Sequence, residues 1–199
     1  NAPNYLVVKA AGNDRDDFGP PAGQEYWIYD SESGFQKSSE PRSSDGGRSG
    51  YDTIGGAGVA KNVLTVGSVR DMPTGYTGPE SVEMTKGSGW GPADDGRIKP
   101  DIVANGVDVY SAIAESRTSY KSLDGTSAAA PSGTGSIALL REQYRDLNGG
   151  GSMMASTVKA LIVHTAGRSR IPPGRSDDSD AGKRHRSRDR RSGRHVART

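Results

Sequence analysis

The sequence predicts an α/β fold built on a mainly parallel sheet flanked by helices. Three observations carry that prediction. Apolar runs at residues 5–11 and 63–69 lack the strict alternation of a half-solvated strand, so each should be buried on both faces. A helical stripe follows at Ile137, Leu140, Tyr144 and Leu147. Long polar connections separate these elements, and parallel strands need crossovers of that kind.

Taken in order, Tyr5-Leu6-Val7-Val8-Lys9-Ala10-Ala11 reads as a buried strand stopped by Gly12-Asn13. Residues 14–60 are a polar excursion with one aromatic patch, Tyr26-Trp27-Ile28-Tyr29. Val63 to Val69 is rich in β-branched residues and reads as a second buried strand. Residues 70–100 are turn-rich and hold Trp90 within GSGWGP, where it reads as a loop anchor. Ile102–Ala104 and Val107–Ser111 are short strands broken by Asn105-Gly106. The first helix opens with small residues, Ala128 to Ser136, and ends before Asn148-Gly149-Gly150. Gly133 and Gly135 each cost such a helix about 1 kcal/mol against alanine, a cost compatible with close approach to other backbone. A second helix is expected from about Met154 to Thr165, with Val158, Leu161 and Ile162 turned inward.

The formal net charge of +2 hides two unlike parts. Residues 168–199 hold eleven Lys/Arg and four Asp, whereas residues 1–167 hold fifteen Lys/Arg and twenty Asp/Glu. The expected division is therefore a folded unit at 1–167 and a basic low-complexity tail at 168–199. The tail has too little apolar surface to offset the entropy of ordering, so disorder is expected. Its abrupt start also suggests a shifted reading frame or a mispredicted gene end. The absence of cysteine excludes disulfides and thiolate metal sites. No apolar run is long enough for a membrane span, so no membrane partner is expected. The chain begins with Asn1 rather than Met, which suggests a piece of a longer product.

LDGTSAAAP at 123–131 is the stretch with chemistry in it. As structure alone, Thr126 is a helix N-cap and Ser127 the first helical residue. As chemistry, a serine at that place sits among unpaired N–H groups that favour negative charge. Gly125 and the alanines keep bulk away, so a peptide could approach. Pro131 has no N–H for the carbonyl of Ser127 and should distort the first turn.

GTSAAAP resembles the nucleophile motif of the subtilases, the subtilisin-like serine peptidases, with Ala128 where that motif usually has methionine. VVKAAGND at 7–14 resembles the strand and turn ending in the oxyanion-hole asparagine of that family, here Asn13. KNVLTVGSV at 61–69 and RIKPDIVANGVDVYSA at 97–112 resemble the segments between them, in the order the family requires. The resemblance covers most of residues 1–167 and implies a subtilisin-like fold that is incomplete here, its C-terminal portion.

It further implies a serine endopeptidase acting on polypeptides, with Ser127 as nucleophile and Asn13 as oxyanion donor. Ala10, Ala11 and Gly12 would line the pocket for the residue before the cut. The family's Asp and His would lie upstream of residue 1, since no histidine precedes Ser127. His164, His185 and His195 are not expected to serve as the base. The chain alone is thus expected to be nearly inactive. Asp101 reads as a solvated or capping carboxylate. No cofactor is expected to be required; structural calcium is possible in such proteins, but no metal site is assigned to the acidic loops at 14–17 and 94–95. An extracellular or cell-envelope location follows from the resemblance alone. Two other readings stand beside it: a non-catalytic protein keeping the fold for binding, and polyanion binding through the arginine-rich tail, without specific recognition of nucleic acid.

Overall fold

The computed structural model describes residues 2–16, 20, 23–40 and 53–167. Its centre is a three-stranded parallel sheet in the order β1 (Val7–Ala10), β4 (Val63–Val69), β5 (Ile102–Asn105). Val7 pairs with Val63, and Val66 with Ile102, in continuous registers. All seven residues of β4 are buried, as expected of a strand covered on both faces.

β1 departs from expectation. It was read as buried, but Val7 is 42% exposed and Tyr5 73%. The reason is topological: among the described residues only β4 pairs with it, so β1 forms a sheet edge.

Two antiparallel hairpins complete the strands. The aromatic patch at 26–29 forms β2 (Tyr26–Asp30), which pairs with β3 (Gly34–Ser38), an element the sequence reading lacked. Asp30 Oδ1 accepts the Glu32 and Ser33 N–H groups and closes the turn between them. The second hairpin joins β6 (Val109–Ala112) to β7 (Tyr120–Leu123), with Tyr110 and Tyr120 stacked on its exposed side at 5.5 Å.

Helix α1 (Thr126–Leu147) crosses one face of the sheet against β1, β4 and β5. Its small residues explain how closely it sits: a Cβ at Gly133 would meet Val66 at 3.5 Å and Ile102 at 3.6 Å. Gly135 does not share that reason, because a Cβ there would meet open space. Helix α2 (Ala155–Thr165) packs beside α1. Leu64, Ile137, Met153 and Val158 form the core, with Leu6, Val8, Ile102, Tyr144, Leu161 and Ile162 packed around them. No helix among the described residues is long and apolar enough to cross a membrane. The expectations for residues 168–199 fall outside the described residues.

Asp101 also departs from expectation. It is a buried ionic centre rather than a solvated carboxylate. Its Oδ2 accepts from Lys99 Nζ at 2.7 Å and from the Thr65 N–H at 2.7 Å, and its Oδ1 pairs with Lys159 Nζ at 3.0 Å. Lys99 also donates to Ala60 O and Thr65 Oγ1, and Lys159 to Lys61 O and Val63 O. Each ammonium therefore has three acceptors, its full donor capacity. Burial pushes the Asp101 carboxyl up, but the bonds from Lys99, Thr65 and Lys159 outweigh it and hold it below the ordinary carboxylate range.

Candidate active site

The chain brings Asn13 and the start of α1 together across more than a hundred residues. β1 ends at Ala10, and Ala11 extends its pairing by donating to Val66 O. Gly12 then turns the chain at φ +107°, a conformation that glycine adopts without strain. On the other side β7 ends at Leu123, and Gly125, at φ +115°, opens α1. A Cβ at Gly125 would lie 3.2 Å from Asn13 Oδ1 and 3.3 Å from its Nδ2. That contact places the carboxamide directly against the turn carrying Ser127.

Thr126 does not cap the helix as the sequence reading expected. The N-cap is Gly125, and it has no side chain to offer. Instead the Thr126 N–H and the Thr126 hydroxyl both donate to Asn13 Oδ1 at 2.9 Å. The Thr126 Oγ1 in turn accepts the Gly12 N–H at 3.2 Å. Asn13 thus supplies from a distance the acceptor that a local cap would have provided.

This arrangement settles which way the amide faces. A backbone N–H can only donate, so the Asn13 atom meeting it must be the oxygen. The Nδ2 group is therefore directed away from Thr126, and among the described residues it donates to nothing.

Ser127 is exposed. Among the described residues no acceptor meets its N–H, while Ala128 and Ala129 both donate to Gly125 O. An exposed hydroxyl and an unengaged N–H thus share one residue at the positive end of a 22-residue helix. Next to it stands a carboxamide whose NH₂ meets no acceptor among the described residues. Chemically, this can hold a developing oxyanion beside a nucleophile.

The remaining sequence candidates for the substrate pocket follow one another from the end of β1 into the turn before Asn13. Ala11 is 1% exposed, its methyl enclosed by the protein. Gly12 is half-buried, with its N–H on Thr126 and its carbonyl accepting from Gly89 N–H at 2.9 Å. Ala10 is half-buried at the end of β1. His164 lies exposed in the last turn of α2.

Asp95 is committed to Arg97, whose hydrogen bond holds its carboxyl below the usual range. Among the described residues no three His, Cys, Asp or Glu side chains come together as metal ligands.

Several supporting residues escaped the sequence reading. Thr126 acts as a bridge, and the segment from Gly87 to Trp90 packs along the backbone of residues 11–13. The density of glycine around Trp90 was the available signal, since such density marks close backbone approach.

The chain is similar to several known proteins. C5a peptidase of Streptococcus pyogenes is 44% identical over 62 residues, which cover 31% of this chain and 5% of that protein. Serine protease AprX of Bacillus subtilis is 34% identical over 115 residues, 51% of this chain and 26% of its own length. The solved self-cleaved protease domain of PatA shares the fold with TM-score 0.51 and 22% identity, over 84% of this chain and 48% of that one. The chain thus spans less than half the length of these proteins. The subtilase family model matches residues 1–193, and the chain belongs to that family.

Proposed function

We propose that this chain carries the nucleophile and the oxyanion-binding part of a serine endopeptidase acting on polypeptides. The observation that carries the proposal is the Asn13 carboxamide beside the Ser127 turn, its oxygen held by Thr126 and its NH₂ without an acceptor among the described residues. Ser127 Oγ would add to a peptide carbonyl carbon and pass its proton to a base. The carbonyl oxygen would become an oxyanion, accepting from Asn13 Nδ2 and the Ser127 N–H. Collapse of that intermediate would break the C–N bond, release the amine after it takes the proton, and leave an ester on Ser127 for water to hydrolyse.

A serine hydroxyl needs a base, and no histidine precedes Ser127 in this chain. The base and its orienting carboxylate are therefore assigned to residues upstream of Asn1. The chain by itself should turn over very slowly, by a factor of about 10⁶ on the scale known from subtilisin, itself a subtilase. The same reading places the protein outside the cytoplasm, as family membership leads one to expect.

Labelling of the full-length protein with a fluorophosphonate tests the proposal. The adduct is expected on Ser127 and should be abolished in Ser127→Ala. A folded full-length protein that takes no label would instead support the non-catalytic reading.

A further inference from the structure

We infer that Arg15 and Trp90 form a strut that positions the Asn13 carboxamide, making both of them positioning residues for the oxyanion. The inference rests on the role proposed above for Asn13.

Arg15 lies two residues after Asn13, and three contacts with described residues tie it down. Its N–H donates to Gly87 O at 3.2 Å, its Nε donates to Lys86 O at 2.7 Å, and its guanidinium carbon sits 3.9 Å from the centroid of the Trp90 ring. A planar cation over an indole face is held by the ring quadrupole as well as by contact, so the side chain has a preferred seat. Trp90 is itself anchored. Its backbone N–H donates to Thr53 Oγ1 at 2.8 Å, and its backbone carbonyl accepts the Thr53 N–H at 2.7 Å. One residue on, the Gly91 N–H donates to the carbonyl of Lys99, whose ammonium belongs to the Asp101 cluster. The asparagine loop is thus connected through Arg15 and Trp90 to the buried Lys99 and its ionic cluster.

The strut lies against the loop rather than near it. The Gly89 N–H donates to Gly12 O, and a Cβ at Gly89 would stand 2.7 Å from Ala11 O. A Cβ at Gly87 would stand 2.8 Å from Asn13 O. Thr126 therefore fixes the carboxamide oxygen, while the strut fixes the backbone from which that carboxamide projects. A donor that must meet charge at one point needs both, because loose geometry forfeits preorganisation.

Side-chain NMR of the full-length protein labelled with [15N]asparagine tests this without requiring turnover. In the unsubstituted protein the Asn13 carboxamide should show an order parameter near about 0.85, that of rigid backbone. Arg15→Met, and independently Trp90→Met, which removes the aromatic face along with part of the ring's volume, should lower it below about 0.6. Trp90→Phe keeps an aromatic face and should restore it. The Asn105 carboxamide, bonded to the Val107 N–H, should stay unchanged in all variants as an internal control. An Asn13 carboxamide that stays equally ordered in either methionine variant, with the control also unchanged, overturns the inference. Failure of the catalytic reading would look different: Ser127 would take no label while Asn13 order still followed Arg15 and Trp90.

Discussion

Thr126 holds Asn13 by a single oxygen. Both its N–H and its hydroxyl end on Asn13 Oδ1 at 2.9 Å, and that shared acceptor sends the amide nitrogen the opposite way. The pair couples a loop after β1 to the first turn of α1, so a change at Thr126 should be felt at Asn13. Thr126→Val keeps the shape but removes the hydroxyl and leaves the Gly12 N–H without its acceptor. The expected cost is about 1–3 kcal/mol in urea unfolding. Phosphonate labelling of Ser127 should slow as well, and Thr126→Ser should retain most of both properties. Equal labelling by the Val variant would show that Asn13 is oriented by something else.

Asn13→Ala leaves the N–H and hydroxyl of the buried Thr126 without their shared acceptor, so a loss of about 1–3 kcal/mol in urea unfolding is expected. Turnover of the full-length protein should fall by about 10²–10³ with KM nearly unchanged, a magnitude carried over from subtilisin, itself a subtilase. Steady-state kinetics on a peptide substrate would check it. A rise in KM alone would assign Asn13 to substrate binding instead.

The parts of this site differed in how legible they were. Ser127 and Asn13 could be read because each stands at a local event, a strand ending in glycine and a glycine opening a helix. Thr126 was misread as a cap because its hydroxyl looked local. Its partner lies 113 residues away, and a chain read residue by residue does not show that pairing. Asp101 failed for the same reason: Lys99 was in view, but Lys159 and the Thr65 N–H arrive from other elements. The buried β4 was legible from composition, whereas the exposure of β1 was not, because edge position depends on the whole sheet. The β2–β3 hairpin was half visible as aromatic residues, and its return strand was obscured by the polar Ser-Gly-Phe-Gln-Lys stretch.

The Asp101 cluster sets a pH window. Its carboxyl is held below the ordinary range in the folded chain, so folding favours the ionised form. The stabilisation is complete above the unfolded-state pKa of about 3.9 and is lost as pH falls through the lower folded value. Asp101→Asn should cost about 3–5 kcal/mol near pH 7, because it leaves the buried Lys99 without its countercharge. Measured by urea unfolding, the gap between the two proteins should be flat from about pH 5 to 7 and close below about pH 4. A gap that stayed constant down to about pH 2 would mean that Asp101 ionisation does not stabilise the fold.

Gly89→Ala probes how closely the two loops approach. Its new methyl would meet Ala11 O at 2.7 Å and Thr53 O at 3.1 Å, both backbone atoms with little room to yield. A loss of about 1–3 kcal/mol is expected, as for other overpacked interiors. Gly135→Ala is the matched control, since open space surrounds it and alanine suits a helix better. It should gain up to about 1 kcal/mol. Equal effects at the two positions would show that close approach is not what Gly89 provides.

Pro131 acts on the carbonyl of the nucleophile's own residue. It lies inside α1, four residues after Ser127, where an ordinary residue would donate to the Ser127 carbonyl. Proline has no proton to give, and its ring crowds that same carbonyl. The following turns are already loosened by hydroxyls bonding backward, Ser132 to Ala128 O and Thr134 to Ala130 O. The helix start is therefore weaker than its alanines suggest, at the one place where a serine must present both its hydroxyl and its N–H. Pro131→Ala should supply the missing bond and raise stability by about 1–3 kcal/mol in urea unfolding. The tightened turn should draw Ser127 into regular helix, so phosphonate labelling should slow while stability rises, a trade expected where a site departs from the best local structure. A variant that gained stability and labelled at the original rate would show that Pro131 contributes nothing to the presentation of Ser127.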